Sequence, residues 1–313
     1  GRRVNQEIEE AKLLCKELGY LPLGLELVAR FLKRRPNWSI SRYRERLKQN
    51  HLETKGLKEA SEEMTAQEGV KAAFDISWEQ LNKEAKEIAL YLSLFEVAPI
   101  EYHLIKEISH RENEDDLEEI LEDSLINSNL VKNLGNQRYE IHTLIHQYLR
   151  EKLEASELAE IAKEAYCQLI VTISQQVSDT PIQSEIKELT SIIPHLIVGA
   201  KELNQWINDD DLIWVYLGLG RFYEGQGLYK QAEPWSKQCL DIVKQRLGEE
   251  HPNVATSLNN LAELYNAQGR YEEAEPLYKK AIMIAIKTLG VNHPNTQTII
   301  NNYNQMTNKK KDL

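Results

Sequence analysis

The stretch GLYKQAEP at residues 227–234 recurs forty-two residues later as GRYEEAEP at 269–276. The same shift carries LGEEHPN at 247–253 onto LGVNHPN at 289–295. It also carries Thr256, Asn259 and Asn260 onto Thr298, Asn301 and Asn302, and Leu219, Tyr223, Gln226 and Gly227 match Leu261, Tyr265, Gln268 and Gly269. A fixed period of this length marks a solenoid of repeated supersecondary units. The chemistry fits paired antiparallel helices. Small Ala232 and Ala274 permit close helix approach. Gly227 and Gly269 fall at the turn inside each pair, where a positive φ is needed. Gly248 and Gly290 end the second helix, and the His-Pro-Asn after each reads as the loop between repeats, because Pro cannot continue a helix but can open one.

This pattern resembles tetratricopeptide repeats of the long, kinesin-light-chain-like kind. It covers roughly residues 212–307, two full repeats and a further half. The resemblance implies a concave surface that binds a protein or peptide. Asn259, Asn260, Asn301 and Asn302 are the polar positions expected to face that groove, or to form a ladder of hydrogen bonds between repeats. Lys309, Lys310 and Lys311 read as a solvated basic end.

Upstream the chain is helical nearly throughout. Residues 5–50 read as a small helical bundle, with Gly19 stopping one helix, Pro22 opening the next and Ser39 capping a third. Residues 65–153 carry helices over 85–95 and 102–108, and one opened by Asp115 and Asp116. Two short strands over 129–132 and 138–141 follow, across a turn at 134–137, and then a helix begins at His142. Helices followed by a two-stranded wing make a winged-helix pattern. Residues 156–211 are helical, punctuated by Pro181 and Pro194. The expected fold is mainly α: a helical bundle over 1–62, a winged-helix domain with a small β-hairpin over 63–154, a helical connector over 155–211, and an α-solenoid over 212–313.

The stretch LGYLPLGL at 18–25 resembles the Gly-Leu-Pro-Leu motif of the NB-ARC ATPases, which belong to the STAND class of signalling NTPases. AFDISWEQL at 73–81 and ALYLSLF at 89–95 are similar to motifs of that family's winged-helix domain, and YEIHTLI at 139–145 to its Met-His-Asp motif. Tyr20 departs from the usual Gly-Gly start, Ile141 stands for Met and Thr143 for Asp. The resemblance implies that Pro22 and Leu23 pack on adenine and that His142 contacts the β-phosphate of ADP, locking a closed state. No Gly-x-x-x-x-Gly-Lys-Ser/Thr phosphate loop is in the sequence. The chain is therefore expected to be a fragment that does not itself hydrolyse ATP. ADP or ATP would bind the full-length protein, with an upstream nucleotide-binding domain as neighbour, and would not be held tightly by this chain alone. A homo-oligomer on activation is the corresponding expectation. Two other readings stay open: a winged-helix transcriptional regulator and a nucleotide-independent scaffold.

Composition narrows these choices. The 313 residues carry a net charge of −11, yet residues 1–50 hold twelve Lys/Arg against six Asp/Glu. The remainder is therefore at −17, and phosphate repels it. The expected recognition helix, 116–127, holds Glu118, Glu119, Glu122 and Asp123 without a Lys or Arg, which argues against DNA. The basic N-terminal surface, including Arg34, Arg35, Arg44 and Arg46, is expected to face an acidic neighbour. His142 and His146 are four apart, but no Glu follows the first His, so a zinc-protease site is not supported. Cys15, Cys167 and Cys239 form no Cys-x-x-Cys pair and read as reduced core thiols of a cytoplasmic protein. The longest apolar runs fall far short of the roughly 20 residues of a membrane span.

Overall fold

The computed structural model describes residues 2–55, 66–111 and 113–311. The expected boundary at 62/63 lies outside these residues. The chain divides into two compact units, Gly1–Ala162 and Lys163–Leu313.

In the first unit, α1 (Arg2–Gln6), α2 (Ile8–Glu17), α3 (Pro22–Arg34) and α4 (Ile40–Lys55) form the N-terminal bundle. Its core is Leu14, Leu18, Leu27, Val28, Phe31, Tyr43 and Leu47, spaced three or four apart along their helices so that one stripe of each faces inward. Each fully buried Leu or Phe contributes about 1.5–3 kcal/mol. The α2–α3 turn places both Gly19 and Tyr20 at positive φ (59° and 56°). Gly suits that region, whereas Tyr pays a small steric cost there. Pro22 opens α3 at its first turn, and Ser39 Oγ caps α4 by accepting from Arg42 N at 3.0 Å.

The α5 helix (Ala66–Glu79) packs on α2, α3 and α4. Gly69 makes that possible: a Cβ there would lie 2.2 Å from the Glu17 carbonyl oxygen. The chain continues through α6 (Lys83–Leu92), β1 (Ile100–Glu101), α7 (Tyr102–Ser109) and α8 (Glu114–Glu119), whose acidic first turn suits the helix dipole. A π-helical turn over Ile120–Ile126 extends α8. Then come β2 (Lys132–Gly135), β3 (Arg138–Glu140) and α9 (Thr143–Glu154).

The strands correct the sequence expectation twice. The sheet has three strands, ordered β1-β3-β2 and antiparallel, because the two-residue β1 pairs Ile100 with Tyr139. The first hairpin strand begins at Lys132, not at Asn129. Asn129 has φ 60° and closes the π turn, while buried Leu130 and Val131 follow it in an irregular segment. The reversal itself is Asn136-Gln137, both at positive φ, as a two-residue type I′ turn requires.

The motif at 73–81 has a physical role. Phe74 and Ile76 are buried in α5, and Asp75 between them accepts from Tyr148 Oη at 2.8 Å and pairs with Lys152 at 2.8 Å. This ties α5 to α9.

In the second unit lie α10 (Ala159–Gln176), of which Lys163 onward belongs here, α11 (Gln183–Thr190), α12 (Ile193–Lys201), a 3₁₀ turn at Asn204–Trp206 and five long helices. These are α13 (Leu212–Glu224), α14 (Tyr229–Leu247), α15 (Pro252–Ala267), α16 (Tyr271–Leu289) and α17 (Pro294–Lys311). Successive helices pack on one another, α13 on α14, α15 on α16 and α16 on α17. Ala232 and Ala274 are fully buried between them. Gly227 and Gly269 hold φ 69° and 73° at the turns inside the pairs. Gly248 and Gly290 close the second helices at φ 89°, ψ 159° and φ 90°, ψ 158°, a region essentially restricted to Gly.

The His-Pro-Asn segments are not loops, as the sequence suggested. His251 is the N-cap of α15, its Nδ1 accepting from Asn253 N at 3.2 Å, with Pro252 at the first helical position. His293 repeats the same bond to Asn295 N at 3.2 Å. Imidazole here takes the part usually given to Ser or Asp.

Candidate functional site

The second unit carries a groove of about 690 Å³, lined chiefly by the first helix of each repeat, α13, α15 and α17. On α15 the lining includes Asn253, Thr256, Asn260, Glu263 and Ala267, three or four apart as one face of a helix demands, with Ser257 and Asn259 at its edge. Asn295, Thr298 and Asn302 repeat the pattern on α17. On α13 the wall is Ile213, Trp214, Leu217, Gly220, Arg221 and Glu224. The repeat thus delivers the same helix face three times, with chemistry that changes from one helix to the next.

Three of the four singled-out asparagines line this groove: Asn259, Asn260 and Asn302. Two of them also form the inter-repeat ladder. Asn302 Nδ2 donates to Asn259 Oδ1 at 3.1 Å and to Glu263 Oε1 at 2.6 Å, while Asn259 Nδ2 donates to Glu263 Oε2 at 3.0 Å. Asn301 is exposed and is not part of the lining. Its repeat equivalent, Asn259, is buried because α17 packs beside α15.

The groove's carboxylates carry no signal in the linear sequence, because nothing in the repeat pattern marks them. Burial, reinforced by the Glu263 charge, pushes the Glu224 carboxyl up to about 7 against the pull of Arg221. Burial also raises Glu263, although the amides of Asn259 and Asn302 favour its charged form. Arg221 is engaged elsewhere, donating to Val177 O at 2.9 Å and pairing with Asp179.

The repeated Glu of the opening octapeptides has a structural task. Glu233 accepts from Arg270 at 2.7 Å and Tyr265 Oη at 3.1 Å and pairs with Lys237 at 2.7 Å, which holds its carboxyl down to about 2. Glu275 accepts from Lys279 at 2.7 Å and from Lys310 at 3.2 Å. Lys310 is therefore tied to α16, not merely a solvated end.

In the first unit, Pro22 and His142 are both exposed and Leu23 is half-buried. His142 is the N-cap of α9, its Nδ1 accepting from Leu144 N at 3.2 Å. His146 points elsewhere: its Nε2 donates to Phe95 O at 2.8 Å, and burial lowers its pKa. Among the described residues no three His, Cys, Asp or Glu side chains gather as a metal site.

Several of the basic N-terminal residues have partners within the unit. Arg44 grips Glu17 at 2.6 Å and Glu10 at 2.5 Å, and Arg46 pairs with Glu79 at 2.9 Å. Arg34 donates to Ser128 Oγ at 2.6 Å, and Arg35 to Gln80. Among the described residues no helix is long and apolar enough to cross a membrane.

A stack of paired helices with a lined groove defines a helical-repeat protein-interaction module. The tetratricopeptide repeat family matches residues 211–287 and, overlapping, 257–303. No curated protein matches the chain.

Proposed function

We propose that the repeats bind a protein or peptide partner in the α13–α15–α17 groove, and that the chain is the regulatory and sensor part of a STAND-type signalling ATPase. The observation that carries the first part is the groove itself, built on a matched tetratricopeptide array. Concave faces of such arrays are where these proteins take their ligands.

Three features of the first unit support the second part. The order α6-β1-α7-α8-β2-β3 is consistent with the winged-helix reading. His142 stands exposed at the start of the helix after the wing, and Pro22 stands exposed at the start of α3. In this reading His142 and Pro22 face ADP supplied with a nucleotide-binding domain. Partner binding to the repeats weakens the closed form and permits exchange, a population shift between two states. The helix ahead of the wing keeps its acidic first turn, which disfavours DNA.

The test uses the full-length protein. Asn260→Ala with Trp214→Ala should abolish capture of the partner, identified by crosslinking, while ADP retention stays intact. His142→Ala should shorten ADP retention severalfold without touching partner capture. ADP retention unchanged by His142→Ala would remove the nucleotide part and leave a scaffold.

A further inference from the structure

The groove's charge identifies what it recognises, if it is the binding groove proposed above. Four of its lining side chains are acidic, Asp179, Asp210, Glu224 and Glu263, and Arg221 is the sole basic one. That one guanidinium is already held by Asp179 and the Val177 carbonyl. Glu263 is fixed in place by two carboxamides that orient it without neutralising it. The carboxylate of Glu224, one helix away on α13, receives no hydrogen bond among the described residues and sits against both desolvation and the Glu263 charge.

Two neighbouring half-buried carboxylates whose nearest guanidinium, Arg221, is bonded to Asp179 and the Val177 carbonyl form an incomplete arrangement, since buried charge is ordinarily paired. We infer that the groove takes an extended, basic segment of a partner protein and seats a Lys or Arg side chain between Glu224 and Glu263. The entering cation supplies the missing charge. Asn260 of α15 and Asn295 of α17 line the same groove with carboxamides suited to a peptide main chain, and Trp214 of α13 lines it with an aromatic ring. Nucleic acid and acidic peptides meet repulsion in the same place.

The experiment uses the whole chain, immobilised, and four oriented peptide pools of seven residues with the central position set to Arg, Lys, Ala or Glu. The Arg and Lys pools should be retained about tenfold or more above the Ala pool, the scale expected when a desolvated charge finds its partner, with the Glu pool weakest. The preference should be lost in Glu224→Gln/Glu263→Gln, whose fold is checked by circular dichroism. Equal retention of the Arg and Ala pools, or a preference that survives the double variant, overturns the inference. If the pools bind alike and Asn260→Ala with Trp214→Ala still abolishes that binding, the groove reading stands and only the charge inference fails. No retention of any pool, or retention indifferent to Asn260 and Trp214, overturns both.

Discussion

Glu224→Gln should stabilise the second unit, and the amount should depend on pH. The native carboxyl titrates near 7 against an ordinary value of 4.5. The folded state therefore binds more protons than the unfolded state across that window. Stability from this group is complete below about pH 4.5 and is lost as pH rises towards 7. A gap of about 2.5 units at 1.36 kcal/mol each gives roughly 3 kcal/mol, and partial solvent access brings this to about 2–3 kcal/mol. Gln keeps the shape and never ionises. At pH 8 the variant should therefore exceed the parent by about 2–3 kcal/mol, and at pH 4 the two should coincide. The assay is urea titration followed by hydrogen exchange of peptides from α13 to α16, which isolates this unit from the first. Parent and variant within about 0.5 kcal/mol of each other at pH 8 would refute the argument, since a surface substitution alone reaches that size. The expected gain also accords with a groove that sacrifices stability for recognition.

Glu233 should behave in the opposite sense. Its carboxyl is held near 2 by Arg270 and Lys237, so its contribution is present above pH 4.5 and fades as pH falls towards 2. Exchange protection of α14 and α15 should drop over that range in the parent and stay flat in Glu233→Gln. Gly69→Ala drives a Cβ into the Glu17 carbonyl and should cost the first unit at least about 3 kcal/mol in denaturant, with the second unit untouched. Gly290→Ala should cost about 1–3 kcal/mol because its φ and ψ exclude a Cβ, although nothing crowds the site. Burial pushes the Cys167 and Cys239 thiols up to about 12. At pH 8 in native buffer, iodoacetamide should therefore label half-buried Cys15 well before either of them, as peptide mapping would show.

The repeat was legible because each helix pair solves the same packing problem and must use the same residues to do so. A spacing of forty-two, an Ala between helices and a Gly in each turn are local consequences of pairing, and they survive in the linear text. The helices of the first unit were legible for a similar reason, through apolar spacing and the caps at Pro22 and Ser39. The hairpin was displaced because buried Leu130 and Val131 read like strand residues. Their apolar character instead serves an irregular segment behind a π turn, which no periodicity encodes. The third strand was invisible, since two residues at Ile100–Glu101 become a strand only when β3 is beside them.

The candidate site divides along the same line. Sequence by itself determined the array, its turns and which asparagines fall on the first helix of each repeat, because those depend on helical period alone. Tertiary structure decided which of them work together: Asn302 reaches Asn259 and Glu263 across two helices, while Asn301 remains outside. It also decided that several of the basic N-terminal residues have partners within their own unit, and that Glu224 and Glu263 face one groove. A charge's meaning is set by its neighbours and its distance from water, and the folded chain alone supplies both.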